Sequence, residues 1–330
     1  MLTRAETLHG AAAVADALRS ARRVTAICHE NPDADTLGAA IAISLIAARM
    51  GAASEVVSVD PPSPAFDFLP GFDAIRRAPG LEPDIAVVCD AATIDRVGRI
   101  VVDQAAWLSR ALLVNIDHHI TNSGFGAVNL VDPRAAATCQ VLAELLPFLD
   151  VPLDADIATA LLTGIVRDSH GFSDASTSPA TLRIAATLME AGAALPDIHR
   201  RVLAELPYRT LTLWARMLST VDQACNGRIV YATLTEVMLA ETGAQQADAD
   251  GLAEFLGRVE GADVVLLFRE VGPSSTRVSI RTSAAVDAHE IAGQLGGGGH
   301  ARRAGCGVDR PLSEMIGVVI GISASALPSD

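Results

Sequence analysis

Four segments of the chain carry histidines and carboxylates, and their spacing suits metal-ion chemistry. Each comes at or just after the end of a run of hydrophobic residues. In order, they are His29 to Asp35 (His-Glu-Asn-Pro-Asp-Ala-Asp), Asp90, Asp117 to His119 (Asp-His-His) and Asp168. Imidazole nitrogens and carboxylate oxygens bind hard and borderline divalent metals. Two such metals side by side would stabilise the attacking and leaving oxygens of a phosphate ester, so the segments predict phosphoester hydrolysis.

The four segments do not carry equal weight. The first is as compatible with an acidic turn whose Asp caps a helix as it is with a metal site. Asp90 by itself is a common loop residue. The adjacent His118 and His119 are harder to explain structurally, because they follow an apolar, strand-like run. Asp168 ends a helix-like run, where the helix dipole disfavours a carboxylate unless a positive group such as a metal holds it.

The hydrophobic pattern predicts a sheet that gathers these segments at one edge. Short apolar strands are expected at residues 24–28, 55–59, 85–89, 111–116 and 127–131. Helical segments between strands indicate a parallel, doubly wound sheet. The carboxyl ends of parallel strands meet along one edge, where ligands bind in open α/β folds. Residues that are far apart in the sequence are therefore expected to converge there.

The second half of the chain predicts helices followed by a smaller α/β domain. Helices are expected at 134–146, 155–166, 179–191, 196–204 and 207–224. Further on, the pattern predicts strands at 228–234, 263–269 and 277–281, helices at 247–259 and 288–294, and a glycine run at 296–299. We predict a two-domain α/β protein with its active site in the interdomain cleft. Its parts would be a catalytic domain at 1–190, a helical linker at 191–224 and a smaller substrate-binding domain at 225–330.

The composition narrows the choice of substrate and compartment. The 330 residues include 39 acidic and 25 basic ones, which give a net charge of −14. This charge repels long polyanions, so a short RNA or a small nucleotide fits better than a long nucleic acid. Residues 1–23 lack a signal-peptide pattern, and no apolar run reaches the ~18 residues that span a bilayer. We expect a soluble cytoplasmic protein that does not bind membranes. The sequence is compatible with a homodimer but does not determine the oligomeric state.

The five cysteines do not form a recognisable pattern. Their number is odd and no C-x-x-C occurs, so neither a disulfide framework nor a zinc cluster is indicated. Cys28 and Cys89 end strand-like runs, which predicts buried free thiols.

The metal-binding segments, in this order, resemble the motifs of the DHH phosphoesterase superfamily, which is named for its Asp-His-His tripeptide. The first motif is matched by a His-x-x-x-Asp-x-Asp-x-x-Gly pattern. The four matching stretches are 29–38, Asp90 with Arg96-x-Gly98, 117–119 and Asp168. The similarity covers nearly the whole chain and implies the catalytic domain of this family.

Two stretches near the C-terminus are similar to the domain that accompanies the catalytic one in this family. Residues 297–305 (Gly-Gly-Gly-His-x-x-x-Ala-Gly) resemble its glycine-rich signature, and residues 281–283 (Arg-Thr-Ser) resemble its Arg-Ser substrate motif. The subgroup that the chain resembles most is the stand-alone nanoRNases, which are also described as oligoribonucleases and pAp phosphatases. Membrane-bound cyclic-di-AMP phosphodiesterases of the same superfamily carry additional domains.

The resemblance implies two divalent metals, for which the family usually uses manganese. One metal would be bound by His29, Asp33 and Asp90, and the other by Asp35, Asp90, His118 and Asp168. Asp90 would therefore bridge both metals. By the same resemblance, His119 would contact the scissile phosphate and Asp117 would support the ligands. A hydroxide that bridges the metals would attack phosphorus in line.

For the second domain, the resemblance implies a clamp for the terminal phosphate or base of a short substrate. Glycine lets a backbone approach a ligand closely, and arginine can hold phosphate through two parallel hydrogen bonds. The expected substrate-binding residues are Arg281, Ser283, Gly298, Gly299, His300, Arg302 and Arg303. A flexible turn is the alternative for the glycine run, and solvated side chains are the alternative for the adjacent arginines.

Three departures from the family pattern affect the expected substrate preference but not the expected chemistry. Ala39 stands where the family often has Ser, and Arg303 replaces a small residue. Residues 168–172 read Asp-Ser-His-Gly-Phe instead of the commoner Asp-Thr-Gly-x-Phe. None of these changes removes an expected metal ligand.

The leading interpretation is a manganese-dependent phosphodiesterase and phosphatase that degrades very short RNA to mononucleotides and converts pAp to AMP. The nearest alternative is hydrolysis of cyclic dinucleotides or linear pApA at the same site. An inorganic pyrophosphatase is disfavoured because the glycine-rich loop and Arg281 suit a nucleotide. A non-catalytic nucleotide sensor is also disfavoured, since such a protein would be expected to have lost metal ligands.

Overall fold

A computed structural model gives the fold, and it describes residues 4–328. The chain divides into two compact units, Met1–Glu205 and Leu206–Asp330. The boundary falls inside the expected helical linker, and the division at 190 and 225 stays a prediction. Within the described range, no helix is both long enough and apolar enough to cross a membrane.

Unit 1 is built on a five-stranded parallel sheet, which confirms the predicted fold class. The strands are β1 (Arg23–Ile27), β2 (Ala53–Val57), β3 (Ile85–Cys89), β4 (Leu112–Asp117) and β5 (Val128–Val131). Their spatial order is β2-β1-β3-β4-β5. The chain therefore moves outward from β1 to β2 and then returns to the other side of β1. This reversal between β1 and β3 is where a doubly wound sheet opens a ligand crevice.

Helices cover both faces of this sheet. They are α1 (Arg4–Ser20), α2 (Ala34–Arg49), α3 (Ile100–Asp103), α4 (Ala105–Leu108), α5 (Thr138–Leu145), α6 (Ala155–Asp168), α7 (Pro179–Glu190) and α8 (Leu195–His199). One core joins the sheet to α2, α5 and α6, and the other joins its opposite face to α3 and α4. Burial on both faces explains why β3 reads Ile-Ala-Val-Val-Cys without a polar residue.

Two glycines allow α2 and α6 to pack closely. A Cβ atom at Gly38 in α2 would lie 2.4 Å from the carbonyl oxygen of Ala160 in α6. A Cβ atom at Gly164 in α6 would lie 2.4 Å from Asp35 Oδ1. Helix α2 therefore lies between the sheet and α6, and this burial explains its nearly all-apolar sequence.

Unit 2 contains a separate, mixed sheet with the strand order β10-β11-β9-β8-β7-β6. Its strands are β6 (Asp222–Ala224), β7 (Ile229–Leu234), β8 (Val264–Glu270), β9 (Thr276–Thr282), β10 (Gly298–His300) and β11 (Arg303–Val308). Its helices are α9 (Tyr208–Leu218), α10 (Glu236–Thr242), α11 (Leu252–Leu256), α12 (Ala288–Gly293) and α13 (Leu312–Ser325). Hydrophobic clusters form on both faces of the sheet.

Two helices expected in this part of the chain are shorter than the sequence pattern predicts. The helix expected at 207–224 ends at Leu218, because residues 222–224 pair with β7 as strand β6. The helix expected at 247–259 is divided into a 3₁₀ turn, Gln246–Ala249, and α11. Gly251 separates them with a left-handed backbone, φ +87, which glycine adopts at little cost.

The close packing of α2 and α6 predicts that Gly38→Ala destabilises unit 1. The new methyl group would meet a backbone oxygen that cannot rotate away. Overpacking of this kind costs about 1–3 kcal/mol of unfolding free energy. Thermal unfolding should show a lower melting temperature than the wild type.

Gly317→Ala in α13 is the matched control, because a Cβ atom there would meet no atom of residues 4–328 within 4 Å. That change should be neutral or slightly stabilising, since alanine favours the helix. A wild-type melting temperature for Gly38→Ala would show that the two helices can separate without cost.

Candidate metal centre

The expected metal ligands meet at the carboxyl edge of the parallel sheet. His29 comes two residues after β1 and Asp90 directly follows β3, on either side of the reversal in strand order. Asp117 ends β4 and is followed by His118, while Asp168 is the last residue of α6. Four elements of unit 1 thus deliver side chains to one crevice.

One group of ligand atoms belongs to His29, Asp33 and Asp90. His29 Nε2 lies 3.7 Å from Asp33 Oδ1 and 3.6 Å from Asp90 Oδ2. Asp33 also caps α2, because its Oδ1 accepts hydrogen bonds from the backbone N–H groups of Asp35 and Thr36. The sequence posed a helix cap and a metal ligand as alternatives for this segment, and Asp33 is placed for both.

A second group belongs to Asp35, His118 and Asp168. His118 Nε2 lies 3.3 Å from Asp168 Oδ2 and 3.6 Å from Asp90 Oδ1. Within each group, one ligand atom from every residue lies within 4.8 Å of the others. Asp90 therefore faces the groups with different oxygens, Oδ2 toward His29 and Oδ1 toward His118. A carboxylate in this position could bridge two metal ions.

The backbone of Asp90 is held in an unusual conformation. Its φ angle is +61, in the left-handed region that residues other than glycine seldom adopt. Its N–H donates a hydrogen bond of 3.0 Å to the carbonyl oxygen of Ile116, which ties the end of β3 to β4. Conformations of this kind cluster at functional sites, where the surrounding structure maintains them.

Both ligand histidines are oriented by their other ring nitrogen. His29 Nδ1 lies 2.7 Å from the carbonyl oxygen of Glu30, and His118 Nδ1 lies 3.2 Å from that of Ala135. A carbonyl oxygen can only accept, so Nδ1 carries a proton and Nε2 of the neutral ring is available to a metal. His118 Nε2 is buried and makes no hydrogen bond with any described residue, although Asp168 Oδ2 lies 3.3 Å away, so the residues present fit a divalent metal.

Buried negative charge dominates the electrostatics of the two groups. Burial and the charges of Asp90 and Asp168 raise the pKa of Asp35 well above its ordinary value. Burial also raises the pKa of Asp168. Burial by itself lowers the pKa of His29 and His118, but nearby carboxylates raise both to about 10. A bound divalent cation would replace the protons that otherwise neutralise this cluster.

The N-terminus of α5 holds two of the expected ligands in place. The sequence interpretation missed this role of α5. The backbone N–H groups of Thr138 and Cys139 donate to the two carboxylate oxygens of Asp35, over 2.6 and 3.0 Å. The Thr138 hydroxyl donates to Asp90 Oδ1 over 2.9 Å. The available signal was a single threonine that follows three alanines at the start of an apolar helix.

A hydrogen-bonded chain also fixes the Asp-His-His segment. His119 Nδ1 lies 2.7 Å from Asp117 Oδ1, and Asn122 Nδ2 donates to Asp117 Oδ2 over 2.6 Å. Burial opposes ionisation, but these partners lower the pKa of Asp117. Asn115 in turn donates to Asn122 Oδ1 over 3.1 Å. The sequence interpretation missed Asn122, whose only signal was the polar Asn115 inside an apolar strand.

Three thiols lie next to the ligands. Cys28, Cys89 and Cys139 are buried and free, which confirms the prediction for the first two. Burial raises the pKa of Cys28 to about 12 and raises those of Cys89 and Cys139 well above the ordinary thiol value. These thiols are therefore protonated in the metal-free protein.

Three of the expected substrate-binding residues form a row in unit 2. His300 pairs with Arg303 across β10 and β11, and Arg303 pairs with Arg281 across β11 and β9. Paired residues on adjacent strands share a face of the sheet, so these side chains lie side by side. The Arg281 guanidinium donates to Glu254 Oε1 over 2.7 Å, and Arg303 lies 3.8 Å from the same oxygen.

The other expected substrate-binding residues shape the loops around this row. Ser283 Oγ donates to Asp263 Oδ1 over 2.8 Å, and the Arg302 guanidinium donates to backbone carbonyls between residues 283 and 286. Gly298 and Gly299 begin β10, and a Cβ atom at Gly299 would lie 2.5 Å from a carbonyl oxygen of β11. Glycine is thus required there for the strands to pair.

Comparison with protein families gives two matches in this chain. Residues 23–165 match the DHH family, N-terminal domain, and residues 226–317 match the DHHA1 domain. A Thermus thermophilus protein named bifunctional oligoribonuclease and PAP phosphatase NrnA is 36% identical over 282 residues, 84% of this chain and 81% of the relative. A Bacillus subtilis protein of the same name is 25% identical over 298 residues, 87% of this chain and 91% of the relative.

Solved structures of low sequence identity share the fold. An exopolyphosphatase-related protein from Bacteroides fragilis has a TM-score of 0.87 at 18% identity, over 98% of this chain and 97% of its own. RecJ from Thermus thermophilus, solved in complex with Mn²⁺, has a TM-score of 0.56 at 16% identity, over 99% of this chain and 55% of RecJ.

The position of Asp90 between the two groups predicts that Asp90→Asn removes metal binding. The change keeps the side-chain size but deletes the charge that both groups share. Mn²⁺ affinity, measured by isothermal titration calorimetry, should fall by more than the roughly 10–100-fold that loss of an outer-shell partner costs. Without metal the variant should melt no lower than the wild type, because a repelling charge is gone.

Asp132→Asn is the matched control, since Asp132 is a buried carboxylate of unit 1 that pairs with Arg134 outside the two groups. It should retain both metals. Unaltered Mn²⁺ binding by Asp90→Asn would exclude Asp90 as a shared ligand.

Proposed function

This chain belongs to the DHH family of phosphoesterases, and on that premise we propose that it hydrolyses very short oligoribonucleotides to mononucleotides and pAp to AMP with two manganese ions. Two relatives that match most of its length are named for these two activities. The observation that carries the proposal is the shared position of Asp90, whose two oxygens face two separate ligand groups.

The donor set supports manganese. His29, Asp33 and Asp90 would hold one ion, and Asp90, Asp35, His118 and Asp168 would hold the other. Mixed imidazole and carboxylate ligands suit a borderline-to-hard divalent ion, and the ligand groups found among the described residues include no cysteine that would favour a soft one. The chemistry that two such ions supply when bound is activation of a water and stabilisation of charge on the attacking and leaving oxygens.

His119 is the side chain that we assign to the scissile phosphate. It is partly exposed, and its Nδ1 is held by Asp117 while Nε2 stays available. Because Asn122 fixes Asp117, the ring is oriented before a substrate arrives. The hydrogen bond to Asp117 raises the pKa of His119, so the ring can carry a proton on Nε2 as well as on Nδ1. Such a preorganised donor beside the ligand groups would bind a phosphate oxygen without a cost for ordering the side chain.

The row of Arg281, Arg303 and His300 is the part of unit 2 that we assign to the terminal phosphate or base. Glu254 holds the Arg281 guanidinium in place, and the remaining positive charge of the row comes from Arg303. A substrate with one terminal phosphate matches so small a cluster better than a long nucleic acid does, in a chain of net charge −14.

The substrate assignment predicts a graded response to a panel of substrates. We expect the metal-free protein, reconstituted with Mn²⁺, to cleave an RNA dinucleotide and pAp faster than a long RNA or cyclic-di-AMP. Product analysis by chromatography should show mononucleotides, and a chelator should abolish turnover. Preference for cyclic-di-AMP would move the protein to second-messenger turnover, and pyrophosphate as the sole substrate would contradict a nucleotide site.

The clamp predicts that Arg281→Gln raises KM for a dinucleotide and changes kcat little. Hydrogen bonds to charged groups contribute about 1.5–3 kcal/mol, which corresponds to a KM increase of roughly 10–100-fold. Arg277→Gln is the matched control, because Arg277 lies on the same strand, is exposed and has no ion pair among the described residues. Equal KM values for both variants would remove Arg281 from the clamp.

A further inference from the structure

Thr138 is a buried residue that contacts a carboxylate of each ligand group. It is the first residue of α5, and its exposed fraction is 0%. Its backbone N–H donates to Asp35 Oδ2 over 2.6 Å, and its hydroxyl donates to Asp90 Oδ1 over 2.9 Å. Neither carboxylate is adjacent to it in the sequence, so both contacts are made by the fold.

Both hydrogen bonds have a defined direction. The N–H groups in the first turn of a helix have no partner within the helix and can serve an outside acceptor. An ionised carboxylate can only accept, so the Thr138 hydroxyl must be the donor to Asp90. The positive end of α5 also favours negative charge on Asp35. Thr138 thus donates one hydrogen bond to each of the two carboxylates.

The hydroxyl contact decides how the Asp90 carboxylate is turned. Asp90 Oδ2 lies 3.6 Å from His29 Nε2, and Asp90 Oδ1 lies 3.6 Å from His118 Nε2. Rotation of the carboxylate would move both oxygens away from these histidines. The hydrogen bond to Oδ1 prevents this rotation and keeps one oxygen directed at each group.

Thr138 is itself held in place by the contacts of the next residue, Cys139. The N–H of Cys139 donates to Asp35 Oδ1 over 3.0 Å, and its thiol lies 3.5 Å from the Asp35 carbonyl oxygen. A Cβ atom at Gly164 would lie 2.4 Å from both Asp35 Oδ1 and Cys139 Sγ, so α6 closes over this contact. The start of α5 therefore has no room to shift, and the Thr138 hydroxyl keeps a fixed position relative to Asp90.

We propose that Thr138 is a positioning residue that couples the two metal sites, because it orders Asp35 and Asp90 together and thereby makes the two metals bind cooperatively. The proposal rests on the proposed function only in taking Asp35 and Asp90 as metal ligands. Thr138 does not contact the substrate in this proposal. Thr138 acts through the two carboxylates that it holds.

The alternative is that the Thr138 hydroxyl merely satisfies a buried polar group and contributes to folding. The two roles differ in what a near-isosteric change does. Thr138→Val keeps the shape and the backbone N–H but removes the hydroxyl, whereas Thr138→Ser keeps the hydroxyl. A folding role predicts a lower melting temperature without metal, while a positioning role predicts a specific change in metal binding.

The test is Mn²⁺ titration by isothermal titration calorimetry on the full chain, together with melting temperatures in a chelator. Thr138→Val should weaken the Mn²⁺ affinity about 10–100-fold, as loss of an outer-shell partner does, and should turn cooperative binding into two independent steps. Thr138→Ser should restore both the affinity and the cooperativity. The kcat of Thr138→Val with saturating Mn²⁺ should fall more than its KM changes.

Thr181→Val is the matched control, because Thr181 is equally buried and its hydroxyl bonds Gln140, outside the ligand groups. It should lower the melting temperature without altering Mn²⁺ binding. Wild-type binding by Thr138→Val, or an equal defect in Thr138→Ser, would overturn the proposal. Calorimetry does not require turnover. If the protein cleaved neither RNA nor pAp, the proposed function would be refuted, but the Mn²⁺ titrations would still test the role of Thr138.

Discussion

Repulsion among buried carboxylates is the constraint on which the rest of unit 1 depends. Asp35 and Asp90 are buried beside the half-buried Asp168, where water screens their charges poorly, and such an arrangement is costly unless positive groups and donors compensate. The fold supplies backbone N–H groups at the start of α5 and two imidazoles. The remaining deficit of positive charge is what a bound cation would offset.

The architecture creates this crowding by simple means. A parallel sheet that reverses its strand order directs the loops after β1 and β3 to opposite sides, and the crevice between them receives His29 and Asp90. Two glycines then let α6 approach α2 until Asp35 is enclosed. The close packing of α2 on α6 therefore both stabilises the unit and buries Asp35.

The sequence predicted which acidic and histidine side chains converge better than it predicted the groups that support them. The six expected ligands follow strands or a helix, so hydrophobic periodicity and motif order were enough to gather them, and their metal assignments stay predictions. Thr138 and Asn122 were missed because hydrogen bonds to Asp90 and Asp117 depend on distances that no spacing encodes. Likewise, the role of Glu254 beside Arg281 follows from the packing of α11 against β9, and the break at Gly251 follows from a backbone angle.

The protection of the thiols in unit 1 has a practical consequence. All five cysteines are described, and Cys225, in the turn between β6 and β7, is the exposed one. A thiol-reactive fluorophore should therefore attach at a single position of the native protein without mutagenesis. Reaction of the other four would report opening of the hydrophobic cores, so the natural chain carries its own probe for following unfolding in each unit.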